Sequence, residues 1–278
     1  MAPRLRCPYC HASLIHAGRA LRCAQGHSYD IARDGHVSLP APRRRQHGGD
    51  SAEMVAAREA FLGAGHYAPI AQAIAAAAQD AVEASGGQPG CALDIGAGTG
   101  YYLAGLLKEL QGWRGLALDA SRPALRRAAR ADPRIAAVAC DLWQPLPLRD
   151  GAAELVLNAF APRNGLELTR ASSRSGALIF VTPTSRHLQE LVATLAMLSV
   201  DADKQARLHA KLSPALTSIG RRQVEFELAL DHQDIRALIA MGPSAHHLSS
   251  DEIECRLSPL PDELLVSASV IVETFRHA

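Results

Sequence analysis

Leu93-Asp94-Ile95-Gly96-Ala97-Gly98-Thr99-Gly100 is the stretch on which the reading of this chain turns. An apolar, β-prone run at Ala92–Ile95 enters it, and a helical stretch at Tyr101–Leu110 leaves it. Glycines between a strand and a helix let the backbone turn sharply and approach a ligand where a Cβ would collide. A G-x-G-x-G loop alone discriminates poorly, because nicotinamide and flavin sites use similar loops. Asp94 narrows the choice. In dinucleotide sites the strand usually runs straight into the glycines and the helix N-terminus faces a pyrophosphate. Here a carboxylate stands just ahead of the loop, and the later glycine of G-x-G-x-x-G is missing.

Strands and helices alternate outward from the loop. Gly115–Leu118, Ile135–Cys140, Glu154–Ala159 and Ala177–Thr182 read as further strands, separated by helical stretches at Arg122–Ala131, Gly165–Ala171 and Arg186–Leu198. Buried apolar strands joined by crossover helices predict an α/β fold with a mostly parallel sheet. Two late β-prone runs, Val224–Leu230 and Leu264–Thr274, are expected to add an antiparallel edge. The loop resembles the S-adenosylmethionine loop of class I, Rossmann-like methyltransferases. That resemblance places Asp94, Gly96, Gly98, Thr99 and Gly100 at the cofactor. Asp119 ends the second strand, where it can accept both ribose hydroxyls. Asp141 ends the third, where it can accept from the adenine amino group with Leu142 against the ring. Each acid alone is more often a helix cap or turn residue; at successive strand ends around one crevice they form a set. After the fourth strand, Asn158 and Phe160 stand where an acceptor would enter, Phe160 to stack on a base and Asn158 to bond its edge. A core aromatic and a strand-end cap are the bland alternatives. No residue is assigned as catalytic base.

A second chemistry opens the chain. Cys7, Cys10, Cys23 and His27 are spaced C-x₂-C, a twelve-residue gap, then C-x₃-H. Paired spacings of soft and borderline ligands are what a closed, structural zinc site requires, one ion per chain. Short β-prone pieces (Ser13–His16, Leu21–Cys23, Val37–Leu39) surround them, so residues 1–39 read as a metal-stapled β module. Residues 40–50 read as a linker with Arg43-Arg44-Arg45, and residues 51–278 as the α/β domain with a helical lead-in. Asp50 is expected to cap the first helix with Glu53 in a capping box; that helix runs to about Leu62, and a second spans Pro69 to Ala84. The net charge of the 278 residues is only +1, yet residues 1–50 carry eight arginines against three acids. That excess points to a polyanion met by the N-terminal module, with a solvated basic linker as the alternative. Six cysteines without an apolar leader fit a reducing cytoplasm, and no apolar run approaches the roughly 18 residues of a membrane span.

Taken in order, the zinc pattern, Gly49-Asp50-Ser51-Ala52-Glu53-Met54, Ala64-Gly65-His66-Tyr67, the glycine loop, Ala161-Pro162 and Thr182-Pro183-x-x-Arg186-His187-Leu188 resemble the large-subunit ribosomal RNA guanine-N1 methyltransferases. The resemblance covers nearly the whole chain. Leu157-Asn158-Ala159-Phe160-Ala161-Pro162-Arg163-Asn164 and Ala240-Met241-Gly242-Pro243-Ser244 are most similar to the tylosin-resistance branch. It implies a zinc module that contacts RNA, methyl transfer from S-adenosylmethionine to a guanine in a ribosomal RNA hairpin loop, and a homodimer. It also implies cofactor contact for Tyr67, Gly98, Thr99 and His187. Two rival readings are a small-molecule methyltransferase with a purely structural zinc module, and a non-catalytic zinc RNA-binding protein. The basic N-terminus argues against the first, and the intact loop with its three acids against the second.

Overall fold

The computed structural model describes residues 1–40, 49–161, 164–195, 215–242 and 250–278. After a short 3-10 turn at Ala2–Arg4, β1 (Leu14–Ala17), β2 (Ala20–Cys23) and β3 (Ser28–Asp30) form a small antiparallel sheet around the cysteines. The chain continues through β4 (His36–Ser38), α1 (Ala52–Gly63) and α2 (Ala68–Glu83). It then alternates: β5 (Cys91–Ile95), α3 (Tyr101–Glu109), β6 (Arg114–Asp119), α4 (Arg122–Ala131), β7 (Ile135–Ala139), β8 (Ala153–Ala159), α5 (Gly165–Ala171), β9 (Ser172–Pro183) and α6 (Gln189–Leu195). The last elements are β10 (Leu216–Asp231), α7 (His232–Ala240), α8 (Ser250–Leu257) and β11 (Glu263–His277).

The large sheet has the order β10-β11-β9-β8-β5-β6-β7-β4. From β4 to β9 every pairing is parallel, whereas β11 runs antiparallel to both β9 and β10. The two late runs thus add the antiparallel edge anticipated from the sequence, with β11 next to β9 and β10 outermost. The chain leaves β5 toward β6 and β7 on one side and returns to β8 and β9 on the other. The crevice at this reversal lies beyond the C-terminal end of β5, where the glycine loop begins.

Three local readings change. The strand near Val37 pairs not with its metal-proximal neighbours in one sheet but in parallel with β7, His36 opposite Ala137 and Ser38 opposite Ala139. The N-cap of α1 is Ser51, whose Oγ accepts from the Met54 N–H at 3.2 Å, rather than Asp50. Asp50 is engaged elsewhere, its carboxylate with Arg58 and its carbonyl with the Ser121 hydroxyl. Helix α6 starts at Gln189 because Leu188 has a left-handed backbone (φ 59°); the end expected for this helix, Ala196–Leu198, lies outside the described residues, as do Arg43-Arg44-Arg45.

One apolar layer runs from the metal-bearing segment into the sheet: Cys7, Leu14, Leu21, Val37 and Leu39 share a core with Leu93, Leu116, Val138, Leu148 and Phe180. Backbone bonds reinforce the junction, Arg6 N–H to the Pro147 carbonyl and Arg149 N–H to the Arg4 carbonyl, each 3.0 Å. The opposite face buries Ile70 and Ile74 of α2 with Leu103 and Leu107 of α3.

Candidate methyl-transfer site and metal centre

The amides of Gly96 and Ala97 both donate to the Leu118 carbonyl, at 2.9 and 3.1 Å, which pins the loop to the end of β6. Gly96 has φ 79°, and a Cβ there would lie 2.2 Å from that of Ala161, so only glycine lets the loop pass under the segment that follows β8. Asp119 joins the two strand ends: Oδ2 accepts from the Gly98 N–H at 2.8 Å and Oδ1 from the Ser121 N–H at 2.7 Å. Each carboxylate oxygen has two lone pairs, so capacity remains for ribose hydroxyls. Burial pushes the Asp119 carboxyl above its ordinary range, and the two backbone donors pull against that. Asp141, buried, accepts from the Trp143 N–H at 3.0 Å. Leu142 lies beside the loop, its Cδ1 3.8 Å from where a Gly96 Cβ would be. Thr99 is buried, and Gly100 caps α3 in a left-handed conformation.

Asp94 carries the fit to the cofactor. It is 1% exposed, and its Oδ1 has no hydrogen-bond partner among the described residues. Burial, and then the field of Asp119, push its carboxyl up to about 8. A sealed acid with an open acceptor beside a glycine loop suits the ammonium of an amino-acid-bearing nucleoside such as S-adenosylmethionine.

An aromatic cluster walls the crevice. Phe160 stacks on Tyr67 (centroids 6.0 Å, 21° between planes) and on His187 (5.8 Å, 28°), with Tyr102 at 6.2 Å. The backbone of Phe160 is left-handed at φ 55°, a conformation costing of order 1–3 kcal/mol in a bulky residue. It is 39% exposed, whereas Asn158 is fully buried with its amide donating to the Ile95 carbonyl at 2.9 Å. Phe160 thus faces the opening, and Asn158 braces the end of β5 beneath the loop. His187 accepts from the Ser269 N–H at Nδ1 (3.2 Å), and its Nε2 lies 3.2 Å from the Tyr67 hydroxyl. Burial lowers the imidazole to about 4, so it is neutral near pH 7. With Nδ1 accepting, the proton sits on Nε2 and is donated to Tyr67, which frees the Tyr67 O–H to donate toward a ligand.

In the N-terminal unit, one ligand atom each from Cys7, Cys10, Cys23 and His27 lies within 4.8 Å of all the others. Cys7 Sγ and Cys23 Sγ stand 3.5 and 3.3 Å from His27 Nδ1, and Cys10 Sγ stands 3.6 Å from Cys23 Sγ. Zinc bonds of about 2.3 Å to sulfur and 2.0–2.1 Å to nitrogen give tetrahedral edges of about 3.6–3.8 Å. The four ligands match that size and fit zinc. Tyr29, not anticipated from sequence, places its hydroxyl 3.0 Å from Cys7 Sγ. Burial opposes the Cys7 thiolate, yet the Tyr29 hydroxyl and the amides of Cys10 and Tyr9 outweigh it and bring the thiol to about 7. Tyr102 and Arg58 are the other residues at the crevice that sequence reasoning missed. Neither carries a local signal, since both sit within ordinary helical patterns.

The strand order, the glycine loop at the reversal point and the acids at successive strand ends define a class I methyltransferase fold, here joined to an N-terminal four-ligand metal unit. A zinc-ribbon family model described as "RlmA, N-terminal" matches residues 5–46. The 23S rRNA (guanine(748)-N(1))-methyltransferase of Streptomyces fradiae is 46% identical over 266 residues, covering 96% of this chain and 94% of that protein. A relative from Micromonospora griseorubida is 44% identical, covering 99% and 98%. The solved S-adenosylmethionine-dependent methyltransferase of Thiobacillus denitrificans, bound to S-adenosyl-L-homocysteine, superposes with a TM-score of 0.42 at 16% identity, over 68% of this chain and 86% of that one. The chain belongs to the 23S ribosomal RNA guanine-N1 methyltransferases.

Proposed function

We propose that this protein transfers a methyl group from S-adenosylmethionine to N1 of a guanine in 23S ribosomal RNA. The near-full-length likeness to the Streptomyces fradiae enzyme carries this reading, since it leaves almost none of the chain unaccounted for. The cofactor supplies a methyl on a sulfonium, so the leaving group needs little help, and the protein's part is chiefly alignment. In this reading Asp94 meets the ammonium, Asp119 the ribose, Asp141 and Leu142 the adenine, and Tyr67 donates into the cleft from its bond with His187. Gly98 and Thr99 line the cofactor, while Gly96 and Gly100 shape the loop around it by letting it pass close to Ala161 and Ala128. Cys7, Cys10, Cys23 and His27 hold one structural zinc.

The finer reading is that the guanine lies in a hairpin loop and that the enzyme works as a homodimer. A guanine N1 edge is buried by Watson–Crick pairing, so the base must be unpaired or flipped to meet the methyl group. Phe160, at the mouth of the cleft, is the stacking surface for that base. Residues 1–39 are the RNA-recognition module and residues 40–50 its basic linker. Tyr9 supports this: it is 52% exposed and stacked on His27 at 5.4 Å. Reduced macrolide binding is the expected consequence of the loop methyl.

The test is primer extension on 23S ribosomal RNA from cells lacking the enzyme, treated with protein and cofactor. An N1 methyl blocks the pairing edge, so reverse transcriptase should stop one nucleotide before a loop guanine. A stop outside any hairpin loop overturns the finer reading, and the absence of any new stop overturns the substrate class.

A further inference from the structure

Helix α1 presses an arginine against the glycine loop. A Cβ built on Gly98 would lie 3.2 Å from Arg58 Nη1, so the guanidinium rests on the loop at its least encumbered residue. It is held from two other sides: it pairs with the Asp50 carboxylate, and Nη2 donates to the Met241 carbonyl at 2.6 Å. Those contacts use two of the five N–H groups of an arginine. The side chain remains 26% exposed, so the guanidinium is not sealed against an entering ligand.

The charges around the loop make this cation informative. Asp94, Asp119 and Asp141 are all acids of the crevice. They suit the ammonium, hydroxyl and amino groups of the cofactor, but not the carboxylate on its methionine portion. That carboxylate needs a cation within reach of the loop, and Arg58 supplies a fork-shaped one. We propose that Arg58 binds the cofactor's carboxylate, and that Asp50 holds the guanidinium in position for it.

The setting of Asp50 fits a positioning role. Gly49 lies so close to β6 that a Cβ would come within 2.4 Å of the Ser121 nitrogen. The Ser121 hydroxyl donates to the Asp50 carbonyl at 2.7 Å, while the Ser121 amide donates to Asp119. Asp50 is thereby fixed to the same strand end as the ribose-binding acid. The end of the basic linker is one wall of the cofactor site.

This inference rests on the reading of the chain as an S-adenosylmethionine enzyme, and the test separates the two. Binding is measured by calorimetry for S-adenosylmethionine and for its decarboxylated form, which keeps the sulfonium and the amine but lacks the carboxylate. The wild-type protein should prefer the intact cofactor by about tenfold or more, the scale of a charge-assisted hydrogen-bonded pair. Arg58→Gln should erase most of that preference by weakening the intact cofactor alone, and Arg58→Lys should keep part of it. Equal loss for both ligands in Arg58→Gln, or no loss for either, overturns the proposal. If that variant does not fold, the wild-type comparison still decides: equal affinity for the two ligands overturns it. Wild-type protein that binds neither ligand overturns the cofactor reading itself.

Discussion

A buried carboxylate that meets an ammonium is charged only when the partner arrives, and the role proposed for Asp94 has this consequence. Its carboxyl is pushed from 3.8 up to about 8, first by burial and then by the neighbouring Asp119. Near pH 7 the ligand-free protein therefore holds a proton there that cofactor binding should expel. Calorimetry at pH 7 in buffers of differing ionisation enthalpy should show close to one proton released per cofactor, and affinity should climb as pH rises toward about 8. Asp94→Asn should abolish the release; an unchanged proton count in that variant would remove Asp94 from the ammonium site. The sign for stability follows from the same shift. The folded state holds the proton more tightly than the unfolded state, so the ligand-free protein loses stability as pH rises between about 4 and 8. His187, lowered to about 4, has the opposite effect, costing stability as pH falls from 6.5 toward 4. The place of Asp94 is legible in the sequence because it immediately precedes the loop. Its protonation is not, since that depends on which side chains seal it. Tyr67 and His187 are 120 residues apart and meet only through the fold, so only a family resemblance points to them.

At the scale of elements, periodicity and turn chemistry carry most of the reading. The strands β5 to β9 and the helices between them fall where apolar runs and caps place them, because buried parallel strands are near-continuous in apolar residues. Partner choice is what fails. His36–Ser38 is a strand by composition, but nothing within three residues says whether it joins the metal-proximal sheet or β7. The cap of α1 fails for a related reason: Asp50 and Ser51 are both good N-caps, and the long-range claim of Arg58 and Ser121 on Asp50 decides between them. Ser51→Ala should cost about 1 kcal/mol, the usual worth of such a cap, in denaturant unfolding. Asp50→Ala should leave the cap intact. A loss of helix stability from Asp50→Ala that Asp50→Asn, itself a good cap, restores would return the cap to Asp50.

For the whole molecule, the joining of two chemistries in one core matters most. Structural zinc contributes on the order of 10–16 kcal/mol to small zinc-dependent folds, which rivals the roughly 5–15 kcal/mol of an entire domain. The three short strands of the metal-proximal sheet form no separate core of their own. The sheet is not insulated from the remainder, because Cys7, Leu21 and Val37 pack with Leu116, Val138 and Leu148. Between His27 and His36 the chain offers only a short lead, in which Ile31 pairs with Val37 and Ala32 donates to the His36 carbonyl at 2.8 Å. Loss of metal should therefore loosen β4 and uncover the β7 edge that β4 protects through the pairs from His36–Ala137 to Ser38–Ala139. Hydrogen exchange on chelated protein should show faster exchange in Ile135–Ala139 as well as in the cysteine-bearing strands. The β10–β11 pair, at the far side of the sheet, should keep its protection. Cys23→Ser should reproduce the pattern without chelator. If β7 stays fully protected once the metal is gone, the two parts fold independently despite their common core; if it opens, zinc also stiffens the strand that leads to Asp141, and the adenine contact proposed for Asp141 should weaken with it.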